Sequence, residues 1–263
     1  MRKINLLTVI FIGGLSWSLL IIGHEMIGHG GAVLLVGGTP IAVDAMYFEH
    51  DLSEATFWQK NFVRAAGSLI NILFGVIAII WLAKLKHPSS WRGFILWMIL
   101  MMNLFNAGSY IAFGRFIHPG MDWAMILHDL DPAWGWETGE MLFGLSLIVL
   151  AFYFGRKYHY LFIDAGSSLL KQKLKILVLP LLTATVLSVS AALLMPTDDL
   201  SLMLMGATGN SFSFMIGMLV LAFLPSSRGR VSTISPLRMN PIIIIISIFI
   251  IGLYLFMSRG IAF

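Results

Sequence analysis

The stretch from residue 5 to residue 36 reads NLLTVIFIGGLSWSLLIIGHEMIGHGGAVLLV, an apolar run with two histidines and a glutamate near its end. A helix that crosses a bilayer needs about 20 mostly apolar residues, and this run is longer. The residues MRK at positions 1–3, two of which are basic, precede it, as in a secretory signal, but no small-x-small cleavage site follows. We therefore predict an uncleaved first transmembrane helix that carries the motif HEMIGH at residues 24–29.

The composition of the whole chain is typical of a membrane protein. Of its 263 residues, 58% are hydrophobic and 11% are charged, whereas a soluble domain carries about 25% charged residues. No polar segment is long enough to form a second folded domain. The predicted fold is all-α, a polytopic helix bundle in one membrane domain (residues 1–263), with a short β segment after the first helix. The seven predicted spans are residues 5–36, 62–84, 91–116, 136–154, 176–195, 202–224 and 241–257.

The basic residues predict the orientation of these spans. The N-terminal end and the even-numbered loops hold 13 of the 17 Lys and Arg residues. Because loops rich in Lys and Arg stay in the cytoplasm, we predict a cytoplasmic N-terminus and an extracytoplasmic C-terminus in a bacterial-type plasma membrane. At about 1.5 Å per residue, the motif then lies near the outer interface, where the third span also ends. The net charge of +4 is thereby explained by topology and by contacts with membrane lipids, so nucleic acid is not a predicted partner.

The motif at residues 24–29 has the residue types of a zinc hydrolase. The chain has no cysteine, so a metal would have to be bound by His, Asp or Glu. In zinc hydrolases two His on one helix face bind the metal, and a Glu beside the first His takes a proton from the activated water. We therefore predict Zn²⁺ as the cofactor, with His24 and His29 as metal ligands and Glu25 as the catalytic general base.

The spacing of the two histidines is unusual. They lie five residues apart instead of four, which on a regular α-helix separates them by about 140°. A one-residue π-bulge would bring both imidazoles to one face, and such bulges are frequent at functional sites. Gly28, inside the motif, would ease that distortion. The spacing therefore predicts a locally π-helical first span.

Two families of zinc peptidases resemble parts of this sequence. The order His-Glu-x-x-Gly-His resembles the motif of the dipeptidyl-peptidase III family, soluble enzymes with the same inserted residue. A larger part resembles the site-2-protease class of intramembrane metalloproteases. In both, the motif is followed by a β-like stretch (here residues 40–48), a Gly-x-x-x-Asn sequence (residues 67–71) and an Asp after a later helix. This resemblance implies that Asp122 is the third zinc ligand. It covers residues 1–125 as a metalloprotease-like core and leaves residues 136–263 as additional transmembrane helices of unknown role.

Several assignments have alternatives. His118 and His128 compete with Asp122 for the third ligand position. The mid-helix residues Asn71 and Asn103 could donate hydrogen bonds to a substrate carbonyl or its oxyanion, or they could only join neighbouring helices. The stretch at residues 40–48 alternates with period two, and it could be an edge strand that aligns an extended peptide or a hairpin that caps the pocket.

Together these features predict a membrane-embedded zinc-dependent hydrolase. We expect an intramembrane metallopeptidase that cleaves membrane-anchored protein or peptide substrates with metal-activated water. Two alternatives stay open: hydrolysis of a lipid amide or ester at the same metal site, and a non-catalytic metal-binding or transport protein. The oligomeric state is left open.

Overall fold

A computed structural model of the chain is a bundle of α-helices with one small β-sheet, and this confirms the predicted all-α fold class. It describes residues 5–87, 90–117, 121–128, 130, 133–163, 169–196, 200–223, 237 and 239–263. A π-helical segment, Gly23–Gly30, joins the first two α-helices, and a short 3-10 helix, His159–Phe162, follows the sixth. The α-helices are α1 (Leu6–Ile22), α2 (Gly31–Leu35), α3 (Phe57–Lys84), α4 (Trp91–Ile117), α5 (Asp122–His128), α6 (Ala133–Tyr158), α7 (Leu169–Leu194), α8 (Leu200–Phe223) and α9 (Pro241–Met257).

Five helices of the described part are long and apolar enough to cross a membrane. The first is the continuous rod Leu6–Leu35, made of α1, the π-helical segment and α2, and the others lie in α3, α4, α6 and α7. α9 is also apolar but has 17 residues, and α8 has 24 residues. These lengths are compatible with a multi-pass membrane protein, while the count of seven spans and their orientation stay predictions.

Two helices begin five or more residues earlier than hydropathy predicts. α3 begins at Phe57, not at residue 62, because Thr56 and Gln59 form a capping box that starts the helix ahead of its apolar part. α7 begins at Leu169, not at residue 176, and hydropathy misses this start because the first turns of the helix carry Lys171 and Lys173. Hydropathy marks the lipid-crossing part of a helix and misses such polar extensions.

The helices pack around α1 and α4. α1 contacts α4, α7 and α9, while α3 and α6 pack against α4, and α3 also packs against the π-helical segment. Trp17 on α1 and Trp97 and Phe105 on α4 are fully buried. The outward face of α9 exposes Ile245 and Phe249, as expected of a helix that faces lipid. This packing brings the π-helical segment, α3 and the end of α4 together.

The predicted β segment is a hairpin. β1 (Thr39–Val43) pairs antiparallel with β2 (Phe48–Asp51), and Asp44 closes the turn between them by accepting hydrogen bonds from the backbone N–H groups of Met46 and Tyr47. A third strand, β3 (Ile261–Ala262), pairs with the other side of β1, so the strand order is β2-β1-β3. The edge-strand interpretation is therefore wrong for the last two residues of β1, where β3 occupies the edge. The hairpin itself is confirmed, while its role of capping the pocket stays a prediction.

Candidate metal centre

The motif lies in a segment whose helical geometry differs from that of its neighbours. Residues Gly23–Gly30 form a π-helix, in which hydrogen bonds run from residue i to residue i+5 and place residues five apart one above the other. His24 and His29 consequently share a face, with ring centroids 4.9 Å apart. The π-helical distortion that the spacing predicts is confirmed.

Glycines hold the motif close to α3. A Cβ atom on Gly28 would lie 2.6 Å from the Cα atom of Gly67, which leaves no room for any side chain at this crossing. A Cβ atom on Gly67 would collide with Nε2 of His24 and lie 2.6 Å from Nε2 of His29. Both imidazoles therefore direct Nε2 toward the same small space above Gly67. This space is a cradle that any larger residue at position 67 would fill.

Asp122, the first residue of α5, faces the same space. Its Oδ2 atom lies 3.4 Å from Nε2 of His29, and the ligand atoms of His24, His29 and Asp122 all lie within 4.8 Å of one another. Two ligands that are each 2.0–2.2 Å from a tetrahedral zinc ion are about 3.4 Å apart. The pair of His29 and Asp122 already has this separation, and the group of three could bind a shared metal ion.

Three contacts hold α5 over the motif. The hydroxyl of Tyr110 on α4 donates a hydrogen bond of 3.0 Å to Oδ2 of Asp122. Nε1 of Trp123 donates to Oγ of Ser68 on α3 at 3.1 Å, and Arg64, also on α3, donates to a backbone carbonyl of α5 at 3.4 Å. Burial acts to raise the pKa of Asp122, but the hydrogen bond and charge of His29 outweigh it, so this pKa lies below its ordinary value. Contact with a protonated His29 thus favours the carboxylate form of Asp122, and a metal ion on Nε2 of His29 would take the place of that proton.

The Nδ1 atoms of the two histidines have different partners. Nδ1 of His29 lies 2.8 Å from the carbonyl oxygen of Val63, to which only a protonated Nδ1 can donate, and this leaves Nε2 free for a metal. Nδ1 of His24 lies 3.0 Å from Nδ2 of Asn71 on α3. The same Nδ2 atom donates to Oδ1 of Asn106 on α4 at 3.0 Å. Asn71 therefore contacts a candidate ligand directly, and its predicted role as a donor to substrate stays a prediction.

Glu25 is buried beside the first histidine of the motif. Its carboxylate lies within electrostatic range of His29 and Asp122. The β-hairpin packs against the π-helical segment. Burial raises the pKa of Tyr47 in its turn, and nearby carboxylates, including Glu25 and Asp122, raise this pKa further. The position predicted for a general base is thus occupied by a carboxylate close to the three candidate ligands.

The other residues singled out from the sequence lie elsewhere or outside the described residues. His118 falls outside the described residues. His128 is the exposed last residue of α5 and does not belong to the group formed by His24, His29 and Asp122. Asn103 donates to the carbonyl of Ile99 in its own helix, which corresponds to a structural role, although its predicted role toward substrate stays a prediction.

Two residues of the centre were missed from the sequence. Tyr110 contacts Asp122 and also packs edge-on against the ring of His24, with ring centroids 5.8 Å apart. Its spacing of four residues from Asn106 places both on one face of α4, and that face could have been recognised as the one directed at the motif. Gly67 was noted only as part of a Gly-x-x-x-Asn sequence, whereas its lack of a side chain leaves open the space that the candidate ligands face.

A comparison of the chain with protein-family models, curated proteins and solved structures finds no match in any of the three. The likeness to the site-2-protease class therefore depends on the residues of this sequence alone and stays a prediction.

Proposed function

We propose that this protein is a membrane-embedded zinc-dependent hydrolase, and specifically an intramembrane metallopeptidase. The observation that carries the proposal is the convergence of His24, His29 and Asp122 on the space above Gly67, with Glu25 buried beside them. Ionisable side chains within a transmembrane segment are costly and mark functional sites. Their convergence at one point favours a shared ligand over separate structural roles.

The donor set supports zinc. Two imidazole nitrogens and one carboxylate oxygen are ligands that zinc accepts, and a catalytic zinc site commonly has three protein ligands with one position left for water or substrate. Among the described residues, the group of potential ligands consists of His24, His29 and Asp122, which would leave the fourth position of a tetrahedral zinc ion open. An open fourth position distinguishes a catalytic centre from a structural one.

The residues of the chain have separable tasks in this proposal. A bound zinc ion would supply a Lewis acid that makes water nucleophilic near neutral pH. Glu25 would accept the proton that this water gives up and pass it to the leaving group. Tyr110, whose hydroxyl bonds to Asp122, would hold the carboxylate ligand in place.

The neighbourhood of the centre favours a peptide substrate. The β-hairpin packs against the π-helical segment, and Phe48 of β2 lies against Gly30. The outer edge of β2 pairs with no strand among the described residues, so an extended peptide could add there by backbone hydrogen bonding. The proposed substrate class is therefore a membrane-anchored protein whose cleavage segment is unwound near the extracytoplasmic face.

The experiment compares membranes that contain the wild-type chain with membranes that contain Glu25→Gln. Mass spectrometry would search both for new protein termini in membrane-anchored proteins and for changes in lipid amides and esters. The proposal expects new termini that need wild-type Glu25, disappear with a zinc chelator and return when zinc is restored. A change in lipids alone would favour lipid hydrolysis, and no zinc-dependent product in either class would favour a non-catalytic metal-binding or transport protein.

A further inference from the structure

We infer that the side-chain amides of Asn71 and Asn106 form a relay that sets the tautomer of His24 and so prepares its Nε2 atom to bind the metal. The inference rests on the proposed function, because it concerns the same metal centre. It assigns positioning roles to two asparagines on two different helices, α3 and α4.

The relay is visible as a chain of buried contacts. Nδ2 of Asn71 donates both of its hydrogens, one to Nδ1 of His24 and one to Oδ1 of Asn106, each at 3.0 Å. All three side chains are buried. Oδ1 of Asn71 is also buried, and it accepts no hydrogen bond from the described residues. An unpaired buried acceptor is destabilising, so this arrangement leaves free energy to be gained by a rearrangement.

The observed contact corresponds to a tautomer of His24 that cannot bind a metal through Nε2. A neutral imidazole has one N–H group, and a nitrogen that accepts a hydrogen bond does not carry it. Since Nδ1 of His24 accepts from Asn71, the hydrogen lies on Nε2, the atom that faces Gly67 and the metal space. His29 differs, because its Nδ1 faces a backbone carbonyl that can only accept. His29 is fixed in the metal-binding tautomer, while His24 depends on an amide that can turn.

A half-turn of two amides converts one state into the other. If the Asn71 amide turns, its Oδ1 atom can accept from a protonated Nδ1 of His24, and if the Asn106 amide also turns, its Nδ2 can donate to the same oxygen. The nitrogen and oxygen of an amide are nearly equal in size, so neither helix has to move. The proton balance is closed, since one N–H bond breaks at Nε2 of His24, one forms at Nδ1, and the net charge does not change. Nε2 then has a lone pair directed at the metal space.

A neighbouring asparagine provides the matched control. Asn103 is also a buried asparagine in the membrane-crossing part of α4, but its Nδ2 atom donates to the carbonyl of Ile99 in the same helix. It therefore has the chemistry and burial of Asn106 without a place in the relay. Substitution of Asn103 reports the general cost of removing a buried amide from this bundle.

The test measures the zinc affinity of the purified full-length chain in detergent, by competition with a chelator of known affinity. Asn71→Asp can accept from Nδ1 of His24 but cannot donate to it, so we expect zinc affinity equal to or above that of the wild type. Asn71→Leu can do neither, and we expect affinity about 10–100-fold lower, the usual effect of losing the partner of a ligating histidine. Asn106→Leu should cause a smaller loss, and Asn103→Leu should bind zinc as the wild type does.

Two results would overturn the relay. One is an Asn71→Leu chain that binds zinc as tightly as the wild type. The other is an Asn71→Asp chain that loses zinc as Asn71→Leu does, because that would make the donation from the amide, and not the acceptance, the useful contact. Asp has nearly the shape of Asn, so this variant keeps the test decisive if Asn71→Leu does not fold. A wild-type chain that binds no zinc would instead overturn the proposed function itself.

Discussion

The hydroxyl of Tyr110 donates a hydrogen bond of 3.0 Å to the same carboxylate oxygen of Asp122 that lies 3.4 Å from Nε2 of His29. One tyrosine thus fixes the orientation of the candidate ligand that comes from the most distant part of the chain. Asp122 belongs to the short helix α5, which by itself has too few residues to hold a side chain in place. The bond from α4 therefore adds to the contacts of Trp123 and Arg64 that hold α5 against α3.

The first prediction concerns this bond. Tyr110→Phe removes the hydroxyl and keeps the ring, which packs edge-on against His24. A hydrogen bond to a charged group contributes about 1.5–3 kcal/mol, so zinc affinity measured by chelator competition should fall about tenfold or more. Tyr254→Phe, at a buried tyrosine of α9, should leave the affinity unchanged. Equal affinities in both variants would show that Asp122 needs no support from Tyr110.

The second prediction concerns the cradle at Gly67. Gly67→Ala places a methyl group against Nε2 of both histidines, so zinc binding should be lost even where the protein still folds. Gly31→Ala is the control, because a Cβ atom there has nothing within 4 Å and it lies in the same transmembrane rod. Zinc content after purification distinguishes the two. A Gly67→Ala chain with a full zinc complement would mean that the metal space lies elsewhere.

The third prediction concerns the contact between α5 and α3. Trp123→Phe and Ser68→Ala each remove the same hydrogen bond of 3.1 Å, so each should weaken zinc binding by about two- to tenfold, the effect of losing about 0.5–1.5 kcal/mol. The double variant should bind zinc about as tightly as the single variant with the lower zinc affinity. Both substitutions remove the same bond, so their effects are not additive. Fully additive losses would show that the bond does not position Asp122.

The fourth prediction concerns orientation. The chain has no cysteine, so single cysteines can be labelled without background. Ser53→Cys lies between β2 and α3, and His87→Cys lies between α3 and α4, both at exposed positions. A membrane-impermeant thiol reagent should label Ser53→Cys in intact cells and His87→Cys only after permeabilisation. The reverse pattern would place the candidate metal centre near the cytoplasmic face.

The sequence was sufficient for those features that depend on local pattern. Long apolar runs marked the five described helices that are long and apolar enough to cross a membrane, and the spacing of His24 and His29 predicted the π-helical segment. Hydropathy alone missed the start of α3, because the capping box of Thr56 and Gln59, itself a local pattern, lies outside the apolar run.

Features that depend on how distant elements meet were out of reach. β3 has two residues and pairs with a strand more than 200 residues earlier in the chain, and no periodicity indicates such a partner. Likewise, Tyr110 and Gly67 acquire their places at the centre from the rotation of α3 and α4 against the π-helical segment. A sequence identifies the polar residues of a helix, but the packing of its neighbours decides which of them face the same space.

The most direct test of the central claim is the zinc content of the purified, detergent-solubilised chain, supplied with zinc and free of chelator. We predict about one zinc per chain in the wild type and in Glu25→Gln, and none in His24→Ala, His29→Ala or Asp122→Ala. His128→Ala, at the exposed end of α5, should retain the metal. A wild-type chain without zinc, or one whose zinc persists in all three ligand variants, would contradict a metal centre at His24, His29 and Asp122.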